Sequence, residues 1–140
     1  MVDRLTPVER SAQMRRIRKR DTKPEIAVRR LVHGLGFRFR LHRRDLPGTP
    51  DLVLPRHRKA IQVYGCFWHQ HQGCRLARLP KSRLDYWLPK LAHNVARDRA
   101  TRAALQAAGW DCLVVWECET QNAEALSATL RRFLLGGDDV

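Results

Sequence analysis

The chain has 140 residues, of which 44% are hydrophobic, and it carries a formal net charge of +13 at pH 7. This length fits one domain with a real core, and the hydrophobic content argues against an intrinsically disordered chain. A membrane-spanning helix needs about 18 to 20 apolar residues, and no apolar run in this chain approaches that length. The N-terminus also lacks the apolar segment of a secretory signal. We therefore expect a single soluble, cytoplasmic domain over residues 1–140.

The positive charge is unevenly distributed along the chain. Residues 1–60 contain 17 lysines and arginines against 6 acidic residues, residues 61–100 contain 7 against 2, and residues 101–140 contain 3 against 6. Such asymmetry is typical of a nucleic-acid partner, because each neutralised phosphate releases counterions. A basic surface that serves only solubility is the alternative, and charge alone does not separate DNA from RNA or from an anionic membrane.

The N-terminal segment predicts a basic arm over residues 1–20. Thr6, Pro7 and Glu9 form the pattern of a helix start, with a cap, a first-turn proline and a capping-box glutamate. The predicted helix extends to about Arg18 and has too little apolar surface for a core helix. We expect it to lie on the phosphate backbone, where Met14 can touch bases.

A second helix and three strands follow. Apolar residues at helical spacing end at glycines 34 and 36, which predicts a helix over this segment. Thr22 and Glu25 have capping-box spacing, so a capping role alone is one explanation for Glu25. Alternating apolar and basic residues over 37–42 predict a strand with one wet, positive face. After a turn at 46–50, residues 51–55 and 59–64 predict two strands joined by a tight basic hairpin.

The C-terminal half predicts two helices and one more strand. Residues 66–83 have no periodic pattern, and residues 85–108 are helical, with Pro89 expected to start or kink the long helix. Residues 110–116 are rich in β-branched and aromatic side chains and predict a buried strand, and residues 122–135 predict an amphipathic helix before a short tail at 136–140. This order of elements predicts one layered α/β domain.

Cysteine and histidine cluster in one short segment. In an intracellular chain, cysteines favour metal binding or catalysis over disulfides. Cys66, His71 and Cys74 have ligand-like spacing, and Cys118 follows a predicted strand, which together indicate a closed Cys3His zinc site with a structural role. Cys112 lies in an apolar stretch and is interpreted as a core residue.

Two further residues near this segment have the chemistry of phosphodiester hydrolysis. Asp51 begins a strand of the predicted hairpin, so it can face the 62–69 segment and bind magnesium, although an ordinary turn aspartate explains the local sequence equally well. A histidine free of zinc, His69, can act as a base or orient water beside the metal. The alternatives are that both His69 and His71 bind zinc, or that one of them is simply exposed.

Phe67 and Trp68 lie between the predicted zinc ligands, where burial of both in the core is not expected. Large aromatic side chains on a basic surface can stack on bases or wedge between them. Packing against the zinc loop is the alternative explanation.

Taken together, these residues resemble the very-short-patch-repair (Vsr) mismatch endonucleases. The similarity covers about residues 10–135, and its most specific part is Gly65-Cys66-Phe67-Trp68-His69 with Trp116-Glu117-Cys118 downstream. The other matching pieces are Met14 to Ile17, Arg20 to Glu25, Leu46 to Asp51, and Lys90 to Arg99. The resemblance implies a restriction-endonuclease-like fold of the PD-(D/E)XK type, a central mixed sheet flanked by helices with a structural zinc site.

The resemblance also implies roles for individual residues. Asp51 and the backbone carbonyl of Val63 bind the catalytic magnesium, His69 is the base or water-orienting group, and Glu25 supports the site. Zinc is held by Cys66, His71, Cys74 and Cys118. For DNA, it implies that Phe67, Trp68 and Met14 enter the base stack beside the mismatch, that Lys90 and Asn94 contact the mismatched pair, and that Arg15 and Arg16 belong to the contacting arm.

Two departures from the family pattern stand out. Well-known members have Thr-His where this chain has Val63-Tyr64, so a second active-site histidine is missing. Tyr64 occupies the position of the motif lysine of the broader fold, where it can donate a hydrogen bond to phosphate but is no cation. Gln62 stands where an acid is usual, and the segment from His71 to Cys74 is one residue longer than in those members.

The resulting hypothesis is a nuclease that nicks the T-containing strand at T:G mismatches left by deamination of 5-methylcytosine, with magnesium as the catalytic ion. It implies a nucleoid-associated monomer that acts on double-stranded DNA, functionally linked to a cytosine-5 DNA methyltransferase. The alternatives are a restriction-type or general nuclease of the same fold, and a zinc-stabilised DNA-binding module with a weakened active site.

Overall fold

The computed structural model describes residues 21–136. In this range the helices and strands are α1 (Lys23–Gly34), β1 (Arg40–Leu41), β2 (Leu52–Leu54), β3 (Lys59–Tyr64), α2 (Leu84–Ala107), β4 (Asp111–Trp116) and α3 (Ala123–Leu135). Short 3-10 segments lie at Pro55–His57, Arg75–Ala77 and Glu117–Gln121. The predicted N-terminal helix, with Met14, Arg15 and Arg16, lies outside the described residues, as does the predicted tail beyond Gly136.

The four described strands form one mixed sheet in the order β1-β2-β3-β4. The β1–β2 and β2–β3 pairs are antiparallel, whereas β3 and β4 are parallel and are connected through α2. Because parallel strands end at the same edge of a sheet, the residues that follow Tyr64 and Trp116 are brought side by side. Helices flank this mixed sheet, as the resemblance implies.

Two hydrophobic clusters lie on opposite faces of the sheet. The first combines α1, α3 and the inner strands through Val28, Val32, Leu52, Leu54, Ile61, Val115, Leu126, Leu130 and Leu134. The second contains Val53, Ala60, Trp110 and, from α2, Leu105. Successive strand residues point to opposite faces, so Gln62 and Tyr64 share the α2 side with Ala60.

The predicted first strand is much shorter in the structure. Residues 37–42 were expected to form a strand, but β1 contains only Arg40 and Leu41. Phe37 and Phe39 instead pack against the first hydrophobic cluster. His42 has a left-handed backbone with φ of 47°, which ends the regular strand conformation after Leu41.

The helix predicted over residues 85–108 is confirmed within one residue, but the placement of the start of the long helix at about Pro89 is wrong. Helix α2 begins at Leu84 and continues through the proline. Pro89 removes one backbone hydrogen bond close to the exposed start of the helix, and Leu91 and Leu105 bury the turns that follow. The aromatic residues at 86 and 87 are therefore helical.

The remaining element predictions are confirmed within one or two residues. β3 has its predicted bounds, and α3 starts after Asn122, whose side chain accepts a hydrogen bond from the N–H of Ala125 at 3.1 Å. Cys112 packs against the second hydrophobic cluster, as expected for a core cysteine. None of the helices in the described part of the chain has the length and apolar character that a membrane crossing requires.

Candidate active site and metal centre

The predicted zinc ligands come together at the edge of the sheet where β3 and β4 end. One ligand atom from each of Cys66, His71, Cys74 and Cys118 lies within 4.8 Å of the other three. The Nδ1 atom of His71 is 3.7 Å from Sγ of Cys66 and 3.5 Å from Sγ of Cys118. Tetrahedral zinc with its usual bond lengths places sulfur and nitrogen ligands about 3.6 Å apart. This Cys/His cluster therefore fits one metal ion with soft ligands.

Local hydrogen bonds hold the cluster in place. The N–H of His71 donates to the carbonyl of Cys66 at 3.0 Å, which closes a turn between two ligands. The N–H of Cys118 donates to Sγ of Cys66 at 3.4 Å, and the ring of His71 stacks on Trp116 with centroids 4.1 Å apart. Burial raises the pKa of Cys66 to about 12, and a bound metal ion would favour its thiolate, which is the form that ligates metals.

Asp51 lies immediately before β2 and faces β3, as the hairpin predicts. Its Oδ2 atom accepts a hydrogen bond from the N–H of Val63 at 2.6 Å. The β2–β3 ladder ends at the Leu52–Ile61 pair, so this carboxylate satisfies a backbone donor just beyond the ladder. Burial, with a smaller contribution from the charge of Glu25, raises the pKa of Asp51 from 3.8 to about 6.

Glu25 performs its predicted capping role at the start of α1. Its N–H donates to Oγ1 of Thr22 at 3.4 Å, and that hydroxyl donates back to Oε2 at 3.1 Å. Its Oε1 atom accepts from the backbone of Asp21 and from the guanidinium of Arg29, each at 3.2 Å. The side chain is nearly buried and also reaches the Asp51 region through His42, a residue that the sequence did not single out. The Nε2 atom of His42 lies 2.9 Å from Oε1 of Glu25.

His69 lies outside the Cys/His cluster and has a carboxylate partner from α2. Its Nδ1 atom is 2.6 Å from Oδ2 of Asp98, and its ring stacks on Tyr64 at 4.0 Å with an interplanar angle of 7°. Asp98 is only 8% exposed. An ionised Asp98 accepts a hydrogen bond from Nδ1–H of His69, and this tautomer leaves Nε2 as the basic nitrogen.

The Asp98 partner was not predicted from the sequence, although a signal exists. Leu91, Asp98 and Leu105 are the buried residues of α2, and they recur every seven positions. An acidic residue on a buried helical stripe needs a partner, and His69 provides it.

An open cavity of about 280 Å³ connects these residues. Its lining includes Glu25, His42, Thr49, Asp51, Gln62, Val63, Tyr64 and His69. Two of these side chains carry polar atoms that are buried without a hydrogen-bond partner among the described residues, the amide nitrogen of Gln62 and the hydroxyl of Tyr64. Burial raises the pKa of Tyr64, so this hydroxyl remains a donor at neutral pH. The cavity thus combines a carboxylate with unused hydrogen-bonding groups.

The two predicted aromatic residues pack against each other beside the start of α2. The Phe67 ring is 5.2 Å from both Trp68 and Trp87, and Trp68 is 5.8 Å from Trp87. The side-chain amide of Asn94 donates to the carbonyl of Trp68 at 3.1 Å, and the ammonium of Lys90 lies 5.7 Å from the Tyr86 ring. Phe67 and Trp68 remain partly exposed. The predicted DNA contacts in the described residues therefore form one surface, to which the structure adds Trp87.

Comparisons with known proteins give a consistent result. The family described as "DNA mismatch endonuclease Vsr" matches residues 2–75. The chain is 56% identical over 134 residues to the type II nicking enzyme V.XorIIP of Xanthomonas oryzae pv. oryzae, covering 96% of this chain and 98% of the relative. It is 40% identical over 141 residues to the DNA mismatch endonuclease Vsr of Escherichia coli, covering 97% of this chain and 90% of that protein.

The fold has a relative among solved structures. The catalytic domain of the homing endonuclease I-Bth0305I superposes with a TM-score of 0.57 over 83% of this chain and 97% of that domain. At 15% identity this likeness establishes the fold alone. Together with the family match and the identities to full-length relatives, the Cys/His cluster and the Asp51 cavity lead to one conclusion. The chain is an endodeoxyribonuclease and belongs to the Vsr family of DNA mismatch endonucleases.

Proposed function

We propose that this endonuclease nicks the T-containing strand at T:G mismatches that arise from deamination of 5-methylcytosine, by magnesium-dependent hydrolysis of a phosphodiester. The observation that carries the proposal is the arrangement of Asp51 and His69 around one open cavity. Asp51 has one carboxylate oxygen bound to Val63, which leaves the other available to a cation. Hard oxygen ligands of this kind are those that magnesium prefers.

A bound magnesium ion would supply Lewis-acid stabilisation of the charge that develops on the phosphate oxygens and would lower the pKa of its water. Asp51 would hold the ion, with the backbone carbonyl of Val63 assisting. His69 would accept a proton at Nε2, because Asp98 fixes the proton on Nδ1 and stabilises the imidazolium that results. Glu25 would support this arrangement from the start of α1.

Tyr64 would act as a hydrogen-bond donor and not as a cation. Its hydroxyl is buried, lines the same cavity and has no partner among the described residues. A phosphate oxygen in the cavity would satisfy it. The stacking of Tyr64 on His69 also fixes the plane of the imidazole.

The Cys/His cluster would hold zinc in a structural role. Four protein ligands complete a tetrahedral shell, and a closed shell of this kind has no position for substrate or water. The cluster ties the segment after β3 to the end of β4, and it therefore stabilises the loop that carries Phe67, Trp68 and His69.

DNA would be bound through the positive charge of the N-terminal half, and the mismatch through the aromatic surface. Phe67 and Trp68, with Trp87 behind them, would insert beside the mismatched pair, and Lys90 and Asn94 would contact it. Met14, Arg15 and Arg16 would contribute from the arm that precedes the described residues. A T:G mismatch has no two-fold symmetry, so we propose a monomer. Because the mismatch arises from 5-methylcytosine, the proposal also links the enzyme to a cytosine-5 DNA methyltransferase.

The proposal is tested with end-labelled duplexes that differ at one base pair, T:G, T:A or C:G, each incubated with magnesium or with chelator. We expect a nick in the T-containing strand of the T:G duplex alone, and none with chelator. Cleavage of all three duplexes would indicate a restriction-type or general nuclease. Tight binding of the mismatch without any cleavage would indicate a DNA-binding module.

A further inference from the structure

We propose that His42 is a positioning residue of the cleavage site, whose imidazole couples the buried Glu25 to the metal-binding carboxylate of Asp51. The inference rests on the proposed function, since it takes Asp51 as the magnesium ligand. It concerns a residue for which neither the family pattern nor the sequence analysis suggests a role.

The backbone places His42 against Asp51. His42 follows β1 directly, and its N–H donates to the carbonyl of Asp51 at 3.3 Å. The φ angle of 47° is a left-handed conformation that costs a β-carbon residue about 1 kcal/mol or more. This strained backbone directs the imidazole into the cavity and not into solvent beside the exposed strand β1.

The imidazole lies between two carboxylates. Its Nε2 atom is 2.9 Å from Oε1 of Glu25 and 3.8 Å from Oδ1 of Asp51. The first distance is a hydrogen bond, while the second is a close electrostatic contact. The side chain of His42 is 11% exposed and that of Glu25 is 4% exposed, so this contact is largely shielded from water.

Glu25 is a fixed anchor for this imidazole. Its carboxylate receives hydrogen bonds from Thr22, Arg29 and the backbone of Asp21 besides the contact with His42. Those bonds tie Glu25 to the first turns of α1. The position of the His42 ring is therefore set by a helix that is itself packed in the first hydrophobic cluster.

The contact acts on the functional oxygen of Asp51. Val63 holds Oδ2, so His42 lies beside Oδ1, the oxygen that remains for a cation. Groups that orient a metal-binding carboxylate commonly change metal affinity or activity by about 10- to 100-fold when removed. His42 would limit the rotation of Asp51 and keep Oδ1 directed into the cavity.

The experiment compares His42→Ala with His42→Gln, because glutamine retains an N–H donor that can reach Glu25. The first readout is the magnesium concentration at half-maximal nicking of the T:G duplex. The second is independent of cleavage: the gain in affinity for that duplex when calcium replaces chelator, measured by fluorescence anisotropy. His33→Ala is the matched control, since His33 is an exposed histidine of α1.

We expect His42→Ala to need about tenfold more magnesium and to lose most of the calcium-dependent gain in affinity, with binding in chelator unchanged. His42→Gln should recover most of both readouts, and His33→Ala should match the wild type. Should His42→Ala fail to fold, His42→Asn decides by the same two readouts, because its shorter amide cannot occupy the position of Nε2.

The role of His42 is refuted if the folded alanine or asparagine variant keeps the wild-type magnesium requirement and calcium response. It is equally refuted if His42→Gln is as impaired as His42→Ala, because the shared donor would then be irrelevant. These results would leave the proposed function intact. If the wild-type chain never nicks the T:G duplex, the proposed function is refuted. The gain in duplex affinity with calcium would still test whether His42 positions Asp51.

Discussion

The Cys/His cluster and the residues around the Asp51 cavity differ in how the chain assembles them. Three members of the Cys/His cluster come from residues 66–74, and the fourth follows the neighbouring parallel strand. The Asp51 site instead draws on the start of α1, the end of β1, the start of β2, the segment after β3 that carries His69, and the middle of α2. The Cys/His cluster offers four ligands for a closed shell. The Asp51 cavity is open and contains one carboxylate oxygen that is free for a cation, together with the imidazole of His69. A closed ligand shell suits a structural ion, whereas a site with open positions suits hydrolysis.

The largest expected effect comes from removing a ligand of the closed cluster. Cys118→Ser should lose the bound zinc and destabilise the domain by about 3 kcal/mol or more, because metal binding and folding are coupled. Zinc content by atomic absorption and thermal unfolding measure both effects. Cys112→Ser is the matched control, since Cys112 packs in the second hydrophobic cluster and not in the Cys/His cluster. A Cys118→Ser protein with full zinc content would show that Cys118 is not a zinc ligand.

A smaller effect is expected from the partner of His69. Asp98→Asn removes the negative charge at 2.6 Å from Nδ1 and with it the preference for the tautomer that has a basic Nε2. We expect the nicking rate to fall about 100-fold while zinc content and mismatch affinity stay near the wild-type values. Single-turnover nicking and anisotropy measure these quantities. An unchanged single-turnover nicking rate would show that His69 takes no part in the hydrolysis.

The smallest expected effect is a gain in stability at the open site. A carboxyl whose pKa is higher in the folded than in the unfolded chain stabilises the fold when protonated, and this contribution is lost as the pH rises through about 6. The ionised Asp51 then costs up to about 3 kcal/mol in the absence of a cation. Asp51→Asn should therefore be about 1 to 3 kcal/mol more stable than wild type at pH 8, and the difference should vanish near pH 4.

Chemical denaturation in magnesium-free buffer at these two pH values tests this prediction. Added magnesium should narrow the difference at pH 8, because it binds only the protein that has the carboxylate. If Asp51→Asn is no more stable than wild type at pH 8, the desolvated carboxylate that distinguishes the open site is absent.

The same contrast explains how much of each region could be predicted from the sequence. The Cys/His cluster is predictable because cysteines are rare, three ligands lie close together in the sequence, and Cys118 follows a strand that can bring it to them. The approach of Asp51 to β3 follows from counting residues along a hairpin. His42 could not be assigned in this way, because it lies in a charged stretch that resembles a solvated surface. Asp98 lies in a similar stretch, and only its spacing of seven residues from Leu91 and Leu105 indicates burial. A left-handed backbone directs the side chain of His42 inward, and the local sequence does not predict this conformation.

The fold divides similarly. The core strands and α3 follow from apolar periodicity, since the strand side chains alternate between two buried clusters and Leu126, Leu130 and Leu134 recur every four residues along one face of α3. The extent of β1 depends on where Phe37 and Phe39 pack, which is a tertiary effect. The start of α2 also overrides a local rule, because Pro89 lies inside the helix and the buried residues Leu91 and Leu105 that follow offset its local cost.

The central claim is that the open site performs hydrolysis while the closed cluster maintains the fold. The most direct test measures zinc content and magnesium-dependent nicking of a T:G duplex on the same samples of wild type and Asp51→Ala. We predict equal zinc content in both proteins and a nicking rate at least about 1000-fold lower in the variant. Nicking by Asp51→Ala at the wild-type rate, or loss of its zinc, would contradict the division of roles between the two regions.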